Sequence, residues 1–151
     1  MTHQAVLRHN FDIQHSPDRL GPGHGDERFW LSLGSGGDSP SWLVGNIVWL
    51  ISWEGFMKTH HVIVGWFKVE HVGRRAGVVA QHYISGNEGV IFPRGVGPLD
   101  MREWFHKFVD ANRKFREGEP TDIDDYTSEL FTLCQAAGYQ LPTATATQQT
   151  V

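Results

Sequence analysis

Gly45-Asn46-Ile47-Val48-Trp49-Leu50-Ile51 and His61-Val62-Ile63-Val64-Gly65-Trp66-Phe67-Lys68-Val69 decide the fold. In the first, Ile47 to Ile51 is a continuous β-branched and aromatic run, which predicts a central strand buried on both faces. The second opens a long strand reading from His61 to Val72. Val62, Val64 and Trp66 fall on one parity, Phe67 and Val69 on the other. A parity switch at a strand glycine predicts a bulge at Gly65. Ser52 to Thr59, with Trp53, Gly55 and Phe56, is the connection between the two.

Outward from this pair, Arg28-Phe29-Trp30-Leu31-Ser32-Leu33 alternates with strand periodicity, and Gly34 to Pro40 is a Gly/Ser-rich loop. Downstream, Gly73 to Gly77 reads as a turn carrying Arg74 and Arg75. Val78 to Ile84 and Gly89 to Phe92 read as strands split by Ser85-Gly86-Asn87. Helical signals come later. Asp100 and Glu103 make a capping-box start for a helix over Met101 to Arg116. Trp104, Phe105, Phe108 and Phe115 lie on one face of it. A second helix is predicted from Asp122 to Ala137, capped by Thr121 and stopped by Gly138. Its stripe is Ile123, Tyr126, Leu130 and Leu133. Strands followed by helices argue for α+β: a small twisted β-barrel or curved mixed sheet with C-terminal helices. Residues 1–25 read as a polar arm with a short ordered piece around Ala5 to Phe11, 26–141 as one domain, and 142–151 as a tail.

The 151 residues suit one domain, and 40% hydrophobic with 20% charged content excludes a wholly disordered chain. The longest apolar run is five residues, so no membrane partner is expected. The N-terminus has no apolar core of signal-peptide length, and with one cysteine the expected address is the cytoplasm. Net charge is -4. Residues 117–129 hold six acids and no base, which leaves 1–116 with thirteen bases against eleven acids. That balance argues against coating nucleic acid by charge alone and permits a pocket that reads one base.

Phosphate-loop, dinucleotide, zincin and nucleophile-elbow motifs are absent. Cys134, beside Leu133 on an apolar helix face, reads as a packed thiol. A metal site draws weak support: His60 and His61 point to opposite faces of a strand, and His24, Asp26 and Glu27 sit in a Pro/Gly-rich loop. Glu54, Glu70, His71 and His82 are acid–base candidates without a nucleophile at matching spacing. No catalytic residue and no cofactor is assigned. Six tryptophans are the unusual signal. Trp49 and Trp104 read as core. Trp30, Trp42 and Trp53 stand apart, because Trp30 opposes the Leu31–Leu33 face and the other two end elements beside loops. Such rings form stacking pockets.

The aromatic strand at 28–33, the Gly45-Asn46-x-Val48-Trp49-Leu50 segment and Ile63-Val64-Gly65-x-x-x-Val69 together resemble the PUA-like superfamily, and within it the EVE and YTH groups. Those groups carry G-D-x-V-x-F-Y followed by x-I-V-G-x-x-x-V; Asn46 stands where Asp is usual. The resemblance covers residues 28–72. It implies a small barrel flanked by helices, with a pocket for a modified or flipped base in DNA or RNA. Trp53, Trp42, Phe56 and Ser35 would line that pocket, Glu54 would accept from an exocyclic amine, and Arg28, Lys58 and Arg94 would hold phosphates. Two other classes stay open: a small metal-dependent hydrolase or nuclease using histidines and carboxylates, and a protein-interaction module using the tryptophans.

Overall fold

The computed structural model describes residues 3–8, 28–33, 39–54, 60–75 and 81–142. Eight strands and three helices follow in chain order. The strands are β1 Gln4–Arg8, β2 Phe29–Ser32, β3 Ile47–Glu54, β4 His60–Lys68, β5 His71–Arg75, β6 Gln81–Gly86, β7 Gly89–Val96 and β8 Thr121–Asp122. The helices are α1 Glu103–Ala111, α2 Arg113–Arg116 and α3 Thr127–Ala136.

Two sheets form. One has the order β7-β4-β3-β1-β8, the other β2-β6-β5. All neighbours are antiparallel except β1 and β3, so the larger sheet is mixed. The α+β reading holds. Among the described residues the sheets do not close, so the barrel form is corrected to two open sheets. β4 ends at Lys68, and after Val69 and Glu70 the chain enters the second sheet as β5. Arg74 and Arg75 therefore lie on a strand where a turn was expected.

The larger sheet is the middle layer. Ala5, Leu7, Val48, Leu50, Val62, Val64 and Phe67 pack toward the small sheet, with Phe29, Leu31 and Ile84. Val6, Ile47, Trp49, Ile51, Ile63 and Trp66 pack with the helices through Phe105, Phe108, Phe115 and Leu130. β3 is thus apolar on both faces because both are covered, as its sequence predicts. The bulge also forms at the expected place. Leu50 pairs with Gly65 and Ile51 with Ile63, leaving Val64 as the extra residue. This shift lets Val62, Val64, Phe67 and Val69 share one core in spite of their mixed parity.

The short ordered piece expected around Ala5 to Phe11 is seen over Gln4–Arg8, and residues 9–27 lie outside the described residues. Gln4–Arg8 is an internal strand of the larger sheet, between β3 and β8. The helix starts differ from the expectation. α1 begins at Glu103 after Arg102, with no side-chain cap. Thr121 lies in β8, and α3 begins at Thr127. Gly138, at φ 84°, ends α3 as expected, with Tyr139 N–H donating to the Cys134 carbonyl. Among the described residues, no helix is long and apolar enough to cross a membrane.

Candidate functional site

Arg8 and Trp53 meet where β1 and β3 both end. Alternation places Arg8 on the face of Val6, and Trp53 on the face of Trp49 and Ile51, which is the helix side. Trp53 lies beyond the last core residue of that face and is half-buried. The Arg8 guanidinium carbon lies 4.3 Å from the Trp53 ring centroid, a cation–π contact.

Arg8 is held from two further sides. Its Nε donates to His61 Nε2 at 2.9 Å, and one Nη donates to the Arg116 carbonyl at 3.3 Å. His61 stands opposite Trp53 in the β3–β4 register. Its Nδ1 lies 2.9 Å from Asp100 Oδ2, and its backbone N–H donates to Asp100 Oδ1. Because Arg8 donates to Nε2, that nitrogen is an acceptor and the ring proton sits on Nδ1, directed at Asp100. Phe105 and Phe115 flank the imidazole with ring centroids at 5.3 and 6.4 Å. Burial lowers the Arg8 pKa, and the Asp100 charge acts in the opposite sense. Asp100, expected as a helix cap, is instead the carboxylate that fixes His61.

α2 adds charge to this end. It packs against β1, its Phe115 is fully buried, and Arg113, Lys114 and Arg116 are exposed around it. Arg113 pairs with Glu117 at 3.2 Å. One buried ring thus anchors a short basic helix whose Arg116 backbone touches Arg8.

Compared with family models, with curated proteins and with solved structures, the chain finds no match.

The residues named from sequence are dispersed. Trp42 is 42% exposed, and its carbonyl accepts from Asn46 Nδ2 just ahead of β3. Trp53 is at the far end of that strand, roughly 20 Å away at a strand's rise per residue. The two rings do not share one wall. Arg28 donates to the Gly89 carbonyl at 3.1 Å and its backbone N–H donates to Asn87 Oδ1, which places it at the β6–β7 connection, where β7 of the larger sheet begins. Arg94 is exposed on β7. The Glu54 backbone pairs with His60, but its side chain lies outside the described residues, as do Ser35, Phe56 and Lys58. Trp30 is buried and stacks on Tyr83 with centroids 5.5 Å apart.

Among the acid–base candidates, exposed Glu70 accepts from Asn87, His71 pairs with Ser85, and His82 pairs with Arg74 across the small sheet. His24, Asp26 and Glu27 lie outside the described residues. A different group, His3, Asp122 and Asp124, brings ligand-type atoms within 4.8 Å at the opposite end of β1. There Asp124 accepts from the Gln4 backbone and from His3, each at 2.7 Å, and so fastens β1 to the β8 segment. Sequence reasoning missed Arg8, Asp100 and Arg116. The available signal was the Arg113-Lys114-Phe115-Arg116 pattern, an aromatic among bases at a helix end.

Proposed function

We propose that this chain is a nucleic-acid-binding module in which a base stacks on Trp53 at the Arg8–Trp53 contact, over or in place of the guanidinium, and Lys114 and Arg116 take the flanking phosphates. The observation that carries it is the guanidinium laid over a half-buried indole and tied to a basic helix end. Aromatic and guanidinium planes both accept a stacked base, and neighbouring cations bind the backbone. The reading keeps the ligand class expected from sequence and moves the site. Trp42 and Arg28 leave it; Arg8, His61, Lys114 and Arg116 join it.

The hydrolase alternative has one observation behind it, the Asp100–His61 pair. The outward nitrogen of that imidazole faces a guanidinium, so a cation occupies the place a metal ion or an activated water would need. The pair therefore serves better to position Arg8 than to move protons. The protein-interaction alternative rests on Trp42 and Val44, which are exposed together ahead of β3.

The test is binding of fluorescent dT and rU oligonucleotides at several salt concentrations. Trp53→Ala should weaken binding by roughly tenfold or more, since stacking contributes about 1–3 kcal/mol per base. The double change Lys114→Ala, Arg116→Ala should lower the slope of log affinity against log salt by about 2. Trp53→Ala should leave the thermal transition close to wild type. Absence of binding at low salt, or unchanged affinity in the Trp53 variant, overturns the proposal.

A further inference from the structure

Among the described residues, His61 is the one tie to Arg8 whose hydrogen-bonding sense reverses on protonation. Neutral, it offers a lone pair at Nε2 to the Arg8 Nε–H, 2.9 Å away, while Nδ1–H is directed at Asp100. Protonated, both ring nitrogens are donors. Asp100 still satisfies Nδ1–H. Nε2–H then faces another N–H donor, and two cations stand in contact. The bond to the Arg116 carbonyl is the longer of these two hydrogen bonds of Arg8, at 3.3 Å against 2.9 Å.

Among the described residues, the groups facing the ring are few. β1 supplies Arg8, and the 3-10 turn Leu99–Met101 supplies Asp100. α1 and α2 supply the neutral rings of Phe105 and Phe115. β3 supplies Trp53 across the register. His106 reaches only the Asp100 carbonyl, Arg116 offers Arg8 its backbone, and His60 is exposed opposite Glu54. His61 itself is 13% exposed at the side chain, so a charge gained there is screened little from Arg8.

We infer that His61 is an acid-sensitive latch on Arg8: protonation at Nε2 ejects the guanidinium from Trp53, uncovers the indole face and leaves two cations for a ligand's phosphate. The consequence for the ligand rests on the nucleic-acid reading; the latch itself does not. Acid that protonates Nε2 should then tighten binding of a single-stranded oligonucleotide.

Two measurements on the full chain test this. In ¹H–¹⁵N NMR, with Arg8 Nε–H assigned through Arg8→Lys, the signal is followed from pH 8 to 5.5 beside the His61 ring nitrogens. It should move to the position of a free arginine with the same midpoint as Nε2 protonation. In His61→Gln, whose amide oxygen accepts at every pH, it should stay in place. Affinity for a dT oligonucleotide should rise on the order of tenfold or more over this range in wild type, uptake of one proton being worth at most about tenfold per pH unit, and should change by less than about threefold in His61→Gln. An Arg8 signal that stays fixed while His61 titrates overturns the latch, and so does a His61 ring that remains neutral to pH 5.5. If His61→Gln fails to fold, the wild-type titration alone decides. If the Arg8 signal switches but no oligonucleotide binds at any pH, the nucleic-acid reading falls and the latch stands.

Discussion

Cys134 is fully buried in the core beneath α3, and burial pushes its thiol from an ordinary value near 9 up to about 12. Only the unfolded chain ionises between these limits. The thiol's contribution is therefore fully present below pH 9 and declines above it, by at most about 1.4 kcal/mol per pH unit. Cys134→Ala should be less stable than wild type at pH 7, and the gap should narrow between pH 9 and 11 in urea melts. A constant gap would show that the thiol ionises freely in the fold. Trp53 shows the limit of residue-scale reading. Its position at the end of a buried run marked it as a ring able to leave the core, and it is half-buried. Its partners were not legible, because Arg8, His61 and Asp100 come from three separate elements. Asp100 shows why: a capping carboxylate and one that holds a histidine carry the same local signal, and tertiary contact chooses between them.

Gly65 answers at the element scale. A Cβ there would lie 2.5 Å from the Val90 carbonyl oxygen and 3.3 Å from Ile91 Cα, both on the neighbouring strand β7. Gly65→Ala should cost about 2 kcal/mol or more, because the obstacle is backbone and cannot rotate away. Urea melts check this; a loss under about 0.5 kcal/mol would mean that the bulge accommodates the methyl. β3, β4 and their bulge were legible because side-chain parity is a local property and both faces are apolar. β1 was not. Gln4-Ala5-Val6-Leu7-Arg8 offers three apolar residues, and its strand state comes from parallel pairing with residues more than forty positions away. The helix starts slipped for a related reason. Thr121 pairs with Val6 in β8, and a capping pattern cannot anticipate a two-residue strand.

For the whole molecule, β1 is the piece that joins the layers. It pairs with β3 on one side and β8 on the other, and its Gln4 accepts from Trp49 Nε1 at 2.7 Å inside the helix-side core. Deleting residues 1–8 would leave the β3 edge open, a long apolar strand able to pair with another molecule. The truncated chain should scatter light on standing and lose its cooperative melt. A soluble monomer with an unchanged melting temperature would contradict this. The same placement sets an order of events on the ribosome. β1 leaves the exit tunnel before both of its partners, the second of them only when Thr121 and Asp122 emerge. Until then the growing chain carries an unpaired β1 edge, so the nascent polypeptide, more than the folded protein, exposes a strand that another chain could pair with.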